Sequence, residues 1–508
     1  MPFLITLAAH FQDNYHGHLP IRLPPISSPS YRYTRSWLTK CFLLLYSIHL
    51  RMNRFLIALS LTALIAQPIL AQPPVANWTS LFDGNSLTGW KKLAGNANYQ
   101  VENGAIVGIT TPGALNTFLV TEKEYGDFIL EMEVKLEDTT LNSGIQFRSH
   151  FDARGYEGKG MVFGYQFELD PSSRKWFGGI YDEARRGWLY PLTLHKLAQN
   201  AYRQGAYNKV RIECIGPVTK TFVNDQPVSC LVDDADAAGF IGLQVHAIDA
   251  GDVAGKKIYW KNIRIQTEKL KSSPTPKEIY VVNLVPNSLS DLEKKNGWRL
   301  LFNGTSGKGW KGAYKKSFPE KGWEIKDGTL TTFPSSGAES TNGGDIVTDD
   351  QFHAFDLSFE FRLTPGANSG VKYFVTLAEE NTGSAIGLEY QVLDDALHPD
   401  AKQGVNGNRT LASLYDLIPA VKQERFVNPP GQWNRGRIIV YPDNHVEHYL
   451  NGMKVLEYER ASEKFRELVK VSKYQKWKDF GEAYKGHILL QEHGNEVSFR
   501  SVKIKELR

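Results

Sequence analysis

A short stretch of this sequence occurs twice, as Leu81-Phe82-Asp83-Gly84-Asn85-Ser86-Leu87-Thr88-Gly89-Trp90 and as Leu301-Phe302-Asn303-Gly304-Thr305-Ser306-Gly307-Lys308-Gly309-Trp310. Further matches follow in the same order along the chain. They are Val101–Ile106 with Ile325–Leu330, Asp127–Leu136 with Phe355–Leu363, Asn142–Ile145 with Asn368–Val371, Tyr207–Ile212 with Trp433–Ile438, Val223–Asp225 with Leu450–Gly452, and Gln244–His246 with Gln491–His493. Because so many matches keep one order, the chain is predicted to contain two copies of one module.

The modules are placed at residues 76–267 and 297–508. The residues between them, 268–296, include a Ser-Ser-Pro-Thr-Pro run and many charges, which are typical of a linker. Within the modules, residues 127–136 and 355–363 alternate apolar and polar side chains. This alternation predicts strands with one buried face.

The fold class follows from composition and pattern. Aromatic residues make up 12% of the 508 residues, and there are 44 glycines, which fits many short strands joined by tight turns. Asn103-Gly104 and Asp327-Gly328 are expected to be hairpin turns of the primed kind. We predict an all-β chain of two tandem jelly-roll β-sandwiches. Helical spacing of apolar residues in 461–479 adds one surface helix to the second module, either as a cleft wall or as a solvated outer helix.

Charge and cysteine content narrow the partners and the redox chemistry. The net charge of +4 is spread along the chain and forms no basic block, which argues against nucleic acid as a partner. Of the three cysteines, Cys214 and Cys230 fall in the first module. We expect them on different strands of one meander, with another strand between them, as two buried free thiols.

Residues 1–75 are predicted to be a leader. Met52 begins a basic and then apolar run, and Ile69-Leu70-Ala71 has the form of a cleavage site, as in a signal peptide. We expect Met52 to be the true initiator and the mature protein to begin near Gln72. The alternatives are a genuine extended leader or a membrane anchor over 37–65. The protein is thus expected to be secreted or periplasmic, with no stable membrane span after signal cleavage.

Two predicted strands carry polar groups where a buried strand normally carries apolar ones. The first places Glu389 and Gln391 on one face, because side chains alternate along a strand. The second places Gln491 and His493 on one face in the same way. If both strands lie in one sheet, four polar side chains converge, and this is where we look for function.

Taken in order, these landmarks resemble the 3-keto-glucoside 1,2-lyase/3-keto-2-hydroxy-glucal hydratase family, also called 3-keto-disaccharide hydrolase domains. The matching elements are Leu-Phe-Asp/Asn-Gly…Gly-Trp, the Asn-Ser-Gly turn, Gly-x-Glu-x-Gln-x-x-Asp, Trp-Asn-Arg, the Leu-Asn-Gly hairpin and Leu-Gln-x-His-Gly. The resemblance implies a concanavalin-like jelly roll in each module and an exported bacterial protein. It also implies a substrate already oxidised at the sugar C3. A separate sugar 3-dehydrogenase is then needed, because no Rossmann-type glycine fingerprint stands out.

The implied substrate gives the polar residues a chemical role. A ketone at C3 acidifies the C2 proton, so a base can remove it while the glycosidic oxygen leaves from C1, and water is added afterwards. The enediolate formed needs a stabilising group, for which a divalent metal ion is one candidate; no other cofactor is implied. In the second module we predict Glu389 and His493 as the acid/base pair, with Gln391, Lys372 and Arg435 contacting the substrate or the enediolate.

The first module departs from this pattern. Gln166 and Glu168 exchange the positions of acid and amide, and with His246 they are predicted to be a second catalytic set with swapped roles. Further substrate contacts are predicted from one residue after the Asn-Ser-Gly turn and from an aromatic and charged loop: Arg148, Trp176, Asp182, Glu183 and Arg186. The alternative is that the charged residues only tie down the loop by ion pairs, and that this half binds sugars without turnover.

Three functions compete. The leading one is an exported 3-keto-glycoside lyase, hydratase or net hydrolase, and its rival is a non-catalytic, lectin-like carbohydrate-binding protein. An ordinary glycosidase is the weakest, because each module offers one inward acid beside an amide and a His, not two facing carboxylates. Glu492 and Tyr390 are expected to face away from the site and Trp90 and Trp310 to serve packing.

Overall fold

Both modules lie in one compact unit, residues 76–508 of the computed structural model. The structure describes residues 77–508 except 114, 250, 336–338 and 378–384. The predicted leader, with its signal peptide, lies outside the described residues. Within the described part of the chain, no helix is long and apolar enough to cross a membrane.

The first module is a sandwich of two mainly antiparallel sheets. The larger sheet has the strand order β16-β13-β12-β11-β6-β15-β4-β3, with β1 beside β15, and the smaller has the order β10-β9-β8-β7-β14-β5-β2. The strands are β1 (Thr79–Ser80), β2 (Trp90–Leu93), β3 (Asn98–Glu102), β4 (Ala105–Ile109), β5 (Thr117–Tyr125), β6 (Phe128–Leu136), β7 (Ser143–Asp152), β8 (Met161–Leu169), β9 (Ile180–Glu183), β10 (Gly187–Tyr190), β11 (Asn208–Ile215), β12 (Val218–Val223), β13 (Gln226–Val232), β14 (Gly239–Val245), β15 (Lys257–Gln266) and β16 (Val282–Asn283).

The second module repeats this architecture. Its larger sheet has the order β19-β20-β29-β22-β25-β26-β27, with β17 beside β29, and its smaller sheet has the order β18-β21-β28-β23-β24. The strands are β17 (Trp298–Leu300), β18 (Trp310–Gly312), β19 (Trp323–Lys326), β20 (Thr329–Thr332), β21 (Ile346–Thr348), β22 (Phe355–Leu363), β23 (Asn368–Val375), β24 (Leu388–Leu393), β25 (Trp433–Val440), β26 (His445–Leu450), β27 (Met453–Glu459), β28 (His487–Leu490) and β29 (Val497–Glu506).

Each sandwich closes around one apolar core. In β22 the alternating apolar residues all enter the core of the second module: Phe355, Leu357, Phe359, Phe361 and Leu363. Their counterparts in β6 enter the core of the first module. Burial of each such side chain stabilises the fold by about 1.5–3 kcal/mol, so the period-two pattern holds the paired sheets together. The predicted pair of all-β sandwiches is confirmed.

The local predictions at the turns are also confirmed. Asn103 and Gly104 have φ of 49° and 74°, as do Asp327 and Gly328, and a primed hairpin turn with two positive φ angles favours these residue types. Trp90 and Trp310 are buried, and each indole N–H donates to a backbone carbonyl of the preceding Leu-Phe pair. These two tryptophans are therefore packing residues.

The two cysteines of the first module lie as predicted. Cys214 is on β11 and Cys230 on β13, with β12 between them, and both are buried free thiols. Burial raises the pKa of Cys214 to about 12 and that of Cys230 to about 11. Because the thiolate is the reactive form, both thiols are inert at neutral pH.

The predicted surface helix is present but shorter than the pattern 461–479 indicated. It spans Glu463–Lys470, and a 3-10 turn follows at Lys473–Lys476. The Ser462 side chain caps the helix N-terminus by accepting from the Phe465 N–H. Among the residues that the structure describes, the other short helical elements are Gly155–Gly158, Leu192–Leu194, Lys196–Asn200, Asp291–Lys295, Pro399–Lys402 and Glu424–Phe426.

The stretch 268–296, described above as a linker, packs against both modules. Its strand β16 runs parallel to β13 of the first module. Its helix, Asp291–Lys295, carries a buried carboxylate, Glu293, which accepts from Asn283 Nδ2 at 2.7 Å and from Lys503 Nζ of β29 at 2.6 Å. The connection therefore fixes one module against the other.

Direct contacts between the modules add to this connection. Phe426 of the second module enters the core of the first, with its ring 5.8 Å from that of Trp176. Thr193 Oγ1 donates to Gly452 O at 2.7 Å, and Arg435 donates to Leu189 O at 2.9 Å. The larger sheet of the second module, which carries Arg435, thus lies beside the smaller sheet of the first.

Candidate functional sites

The second module collects its polar groups on the outer face of its smaller sheet. Lys372 lies directly opposite Glu389, and Gly370 lies opposite Gln391. Residues opposite each other in an antiparallel pair share a face, so Lys372, Glu389 and Gln391 lie together. A Cβ atom at Gly370 would overlap the Glu389 carboxylate. The glycine of the Asn-Ser-Gly turn therefore makes room for this side chain.

Three acidic side chains interact with the ammonium of Lys372: Glu339, Asp345 and Glu389. Its ammonium lies 3.7 Å from Glu339 Oε1 and 3.9 Å from Asp345 Oδ2, and it donates to Ala385 O at 3.2 Å. Burial disfavours the charged ammonium, but Glu389, Asp345 and Glu339 outweigh burial and raise the pKa of Lys372 above its ordinary value. The side chain is thus a protonated, buried cation at neutral pH.

Two carboxyl groups beside this cation, those of Glu389 and Asp345, have pKa values above their ordinary ones. Burial raises the pKa of Glu389 above its ordinary value, although Lys372, Lys473 and His493 oppose that shift. Burial likewise raises the pKa of Asp345 to about 7, against Lys372. A carboxyl with a pKa of about 7, as at Asp345, can exchange protons near neutral pH.

Three buried polar atoms at this face have no hydrogen-bond partner among the described residues: Gln491 Oε1, Asn368 Oδ1 and His493 Nδ1. Gln491 Nε2 donates to Glu339 Oε1 at 2.9 Å, and Asn368 Nδ2 lies 3.4 Å from His493 Nε2. With the amide oriented in this way, His493 Nε2 accepts and the proton of a neutral ring lies on the unpartnered Nδ1. Unpaired buried polar atoms are costly, and sugar hydroxyls would pair them.

Two further residues border this face. His398, with its ring 6.1 Å from that of His493, accepts from the Asp400 N–H through Nδ1, and burial lowers the pKa of its imidazole. Lys473 keeps solvent exposure, yet partial desolvation lowers the pKa of its ammonium. Lys473 belongs to the 3-10 turn after the inserted helix, so the insertion borders the site.

The remaining residues of the two polar strands have structural partners. Glu492 is fully buried and accepts from the backbone N–H groups of Asn342 and Gly494. The Tyr390 hydroxyl donates to Tyr449 O inside the core. Arg435, predicted to contact the substrate here, is instead on β25 of the other sheet and lines a cavity between the modules. The Trp-Asn-Arg motif begins β25, which does not belong to the sheet of the polar pair, and this is why sequence order misplaced the arginine.

The first module carries a hydrogen-bonded chain of amides and one carboxyl at the equivalent face. Gln146 lies opposite Gln166, and Gly144 lies opposite Glu168. Gln146 donates to Gln166 Oε1 at 2.6 Å, and Gln166 donates to Glu168 Oε2 at 2.9 Å. Asn142 of the Asn-Ser-Gly turn donates to Glu168 Oε1 at 2.8 Å. Burial raises the pKa of Glu168 to about 7 despite these donors.

More polar groups flank this chain. Burial raises the pKa of Glu183, whose Oε1 accepts from Asn116 Nδ2 at 2.9 Å. His246 is exposed, and its Nδ1 lies 2.6 Å from Ala247 O. Gln244, which corresponds to Gln491, is fully buried, and both of its side-chain polar atoms lack partners among the described residues. Gln166, Glu168, Glu183 and His246 therefore stand around one space.

Other predicted contacts of the first module lie elsewhere. Arg148 is buried and donates to the carbonyls of Gly126 and Gly216 and to Asp127. Trp176 is buried and packs edge-on against Trp188, with 4.5 Å between the two ring centroids. Neither Arg148 nor Trp176 lines the cavity of this module.

The charged hairpin after Trp176 is an ion-pair network. Asp182 is fully buried and pairs with Arg185 and Arg186, which reach Asp236 and Asp233 on the loop after β13. These pairs tie the hairpin to that loop, as the structural alternative proposed. Arg186 nevertheless has one side in the cavity lining.

A cavity of about 760 Å³ lies between the modules. The first module lines it with the predicted Gln166, Glu168, Glu183 and His246, and the second module contributes groups from its larger sheet and from the loop before β25. Sequence comparison could not find this second wall, because it treats the modules as separate copies.

Metal-binding potential is found elsewhere in the described chain. His445, Glu447 and Glu457 bring ligand atoms within 4.8 Å of one another on β26 and β27. The Lys454 ammonium already pairs with both glutamates. At the polar face of the second module, Lys372 supplies a positive charge from the chain itself.

Sequence reasoning missed several residues of both faces: Asp345, Glu339, His398, Lys473, Gln146, Asn116 and the unpartnered Gln244. Asn142 and Asn368 stood in the Asn-Ser-Gly motif, and Gln244 stood in the repeat, so a signal existed for these three. Asp345, Glu339 and Lys473 come from loops and from the insertion, and no repeated pattern marks them.

Comparisons with known proteins agree with this architecture. A family model for the 3-keto-alpha-glucoside-1,2-lyase-like domain matches residues 77–266 and again 297–505. A protein of Bacteroides thetaiotaomicron named 3-keto-disaccharide hydrolase is 36% identical over 233 residues, 42% of this chain and 79% of that protein. The solved structure of a candidate glycosyl hydrolase from Parabacteroides distasonis is 32% identical, with 44% of this chain and all of that chain covered, at a TM-score of 0.39. A carbohydrate-binding module from Bacillus subtilis is 16% identical over 36% of this chain and 98% of its own, at a TM-score of 0.25.

Proposed function

Because the chain belongs to the 3-keto-alpha-glucoside-1,2-lyase-like domain family, we propose that its second module cleaves 3-keto-glycosides, including 3-keto-disaccharides. The reaction is removal of the C2 proton, elimination at C1 and hydration of the resulting 3-keto-2-hydroxy-glucal, which amounts to net hydrolysis. The name of the Bacteroides relative, 3-keto-disaccharide hydrolase, supports the substrate class.

The observation that carries the proposal is the buried pair of Lys372 and Glu389 on one face. Their ladder positions are directly opposite, and each shifts the pKa of the other. A carboxylate that accepts a proton beside a fixed cation is the arrangement that an enediolate intermediate requires, since negative charge develops as the proton leaves. An ordinary glycosidase relies instead on two carboxyl groups that flank the scissile bond.

The roles then follow from charge and protonation state. Glu389 takes the C2 proton, and the electrons of the C–H bond move into the C3 carbonyl, whose oxygen becomes an oxyanion beside the Lys372 ammonium. The enediolate then expels the glycosidic oxygen from C1, and His493 donates the proton that this oxygen needs. Water adds to C1 of the enone, and C2 regains a proton. Gln491 and Asn368 offer unpartnered oxygens for the hydroxyl groups of the sugar.

The proposal includes export and a partner. A protein with the predicted signal peptide at Met52 would act outside the cytoplasm, on sugars that a separate 3-dehydrogenase has oxidised. N-terminal sequencing of the secreted protein tests this part: we expect a start near Gln72, and a start before Met52 would contradict it.

The enzyme assay tests the chemistry. The mature protein is incubated with a 3-keto-glucoside and with the unoxidised parent glucoside. We expect turnover of the keto sugar alone. Binding of both without turnover of either would favour the lectin-like alternative, and turnover of the parent would favour an ordinary glycosidase.

A further inference from the structure

The cavity between the modules has a lining unlike that of the proposed catalytic face. It contains six arginines and three glutamates. Four of these arginines already pair with carboxylates: Arg174, Arg185, Arg186 and Arg500. Among the described residues, Arg425 and Arg435 have no carboxylate within salt-bridge distance. Two guanidinium groups in the lining therefore lack a counter-charge.

Arg435 is held in place without being neutralised. One of its nitrogens donates to Leu189 O at 2.9 Å across the module boundary. Desolvation lowers the pKa of its guanidinium, although Tyr280, Glu360 and Asp233 oppose that shift. A guanidinium fixed in this way presents its other N–H groups to the cavity, and their planar fork matches a carboxylate or a sulfate.

The glutamates of the lining do not offset this charge. Glu360 is engaged by Arg500 at 2.8 Å. Burial raises the pKa of Glu168 to about 7, so this carboxyl is partly protonated at neutral pH, and burial also raises the pKa of Glu183. The lining thus carries a net positive charge that is available to a ligand.

The rest of the lining is suited to a sugar. Asn116, Asn142 and Gln166 provide amide groups, and the rings of Trp188 and Trp433 contribute aromatic surface. Pockets of about 300–1,000 Å³ hold small ligands, and the volume of this one, about 760 Å³, accommodates a disaccharide. The fully buried and unpartnered Gln244 lies on the same polar face of the sheet.

We infer that this cavity is a second carbohydrate site, built from both modules, and that it binds a saccharide carrying an anionic group, a carboxylate or a sulfate ester, which pairs with Arg435. The inference is independent of the chemistry proposed for the second module. In this inference the second module forms one wall of a binding site whose other wall belongs to the first module.

Isothermal titration calorimetry with the full mature chain tests the inference. The probes are a glucuronosyl-glucose disaccharide, the same disaccharide with a 6-sulfated glucose in place of the glucuronate, and the neutral diglucose. We expect at least one anionic disaccharide to bind tenfold or more tightly than the neutral one, and the tighter of the two identifies the anionic group. Equal affinities for all three, or no binding of either anionic disaccharide, would overturn the inference.

Variants locate the binding. Arg435→Gln is expected to lower the affinity for the anionic disaccharide about tenfold or more, since a charge-assisted contact is lost, and to leave the affinity for the neutral one unchanged. The matched control is Arg362→Gln, which removes a guanidinium stacked on the Trp433 ring at 5.0 Å and outside the cavity lining. An equal loss in the control would contradict the assignment.

A second variant covers the case in which loss of the Arg435 hydrogen bond unfolds the module interface. Arg425 is exposed, and Arg425→Gln removes the other uncompensated cation together with its contact on the Phe426 ring at 4.7 Å, while the Arg435 hydrogen bond is kept. We expect it to weaken anionic binding severalfold, and unchanged binding in every folded arginine variant of the lining would overturn the inference. Glu389→Gln should retain anionic binding in full, which separates this site from the catalytic one.

Discussion

The smaller sheets of the two modules have equivalent strand pairings, but the side chains at equivalent positions differ in charge. In the second module Lys372 stands opposite Glu389, and in the first Gln146 stands opposite Gln166. A lysine opposite a buried glutamate in one module is thus matched by a pair of amides in the other. The same scaffold holds two ionisable side chains at this position in one copy and two hydrogen-bonded amides in the other.

A second difference concerns the next ladder position. Gln391 lies opposite Gly370, whereas Glu168 lies opposite Gly144, so the acid of the first module is displaced by two residues. It has no lysine beside it and is held by Asn142 and Gln166 instead. Burial raises the pKa of this carboxyl, and the Arg174 guanidinium, 3.9 Å from Glu168 Oε1, is already paired with Asp170 at 2.6 Å. The first module thus offers a shared arginine where the second offers a buried lysine. The position of a residue on the sheet therefore fixes the direction of its side chain, while the neighbouring groups fix its charge and its possible chemistry.

The largest expected effect comes from the base. Glu389→Gln should lower kcat/KM for a 3-keto-glucoside by about 10³-fold, within the range for loss of a general base. The matched control is Glu168→Gln in the first module, for which we expect a change below about twofold. Steady-state kinetics check both, and an equal loss in the two variants would remove the proposed difference between the modules.

Loss of the cation should cost less. Lys372→Met keeps the side-chain volume and is expected to lower kcat/KM about 10²-fold, because one stabilising charge at the oxyanion is removed. The control is Gln146→Met at the same ladder position of the first module, which should leave the rate nearly unchanged.

The pH profile of the Lys372→Met variant sharpens this expectation. Glu389 must be ionised to act as a base, so activity is lost as the pH falls through its pKa. Lys372 lowers that pKa against the effect of burial, and its removal should move the acidic limb of kcat/KM to higher pH. A limb that stays in place or moves to lower pH would show that the two groups are not coupled.

The stability of the first module should reveal the buried acid. The folded pKa of Glu168 is raised from 4.5 to about 7. Its contribution to stability is therefore fully present below pH 4.5 and is lost as the pH rises through about 7. Glu168→Gln removes this dependence, so the difference in the free energy of unfolding between variant and wild type should change by about 2 kcal/mol from pH 5 to pH 8.

Urea denaturation at the two pH values measures this difference. Asp138→Asn is the control, because hydrogen bonds from Thr140 and Lys256 lower the pKa of Asp138 to about 2. The lowered pKa of Asp138 changes the free energy of unfolding only at pH values below the range from pH 5 to pH 8. If the difference in the free energy of unfolding between Glu168→Gln and wild type did not change with pH, the pKa of Glu168 would not be raised in the folded protein.

The smallest effect is expected at the histidines. His493→Ala should lower kcat about tenfold, since protonation of the leaving oxygen is assisted and not essential. A substrate with a more acidic leaving group should recover much of that loss. His246→Ala, the counterpart in the first module, should leave the rate unchanged, and the reverse order of effects would place the chemistry in the first module.

The fold could be predicted almost entirely from sequence. Apolar alternation in β6 and β22 and the paired turns at Asn103 and Asp327 are local signals with one physical meaning. The inserted helix was predicted too long, because its apolar spacing continues through the 3-10 turn that holds Lys473 and Tyr474. Helical and 3-10 turns share short-range spacing, so the pattern alone does not separate them.

The candidate site could be predicted only where strand periodicity applies. Glu389, Gln391 and Lys372 fall on one face because neighbouring strands bring them there. Arg435 was placed with them on motif order, yet β25 belongs to the opposite sheet. Asp345 lies in the loop before β21 and contacts Lys372, which is distant from it in sequence. No local sequence pattern predicts such a contact.

The central claim is that cleavage begins with proton removal from C2 by a base in the second module. Single-turnover cleavage of a 3-keto-glucoside deuterated at C2, compared with the ordinary substrate, tests this directly. We predict slower cleavage of the deuterated sugar by the wild-type protein and an effect at least as large in Lys372→Met, where proton removal is slowed. Equal cleavage rates for the two sugars in both proteins would contradict the account.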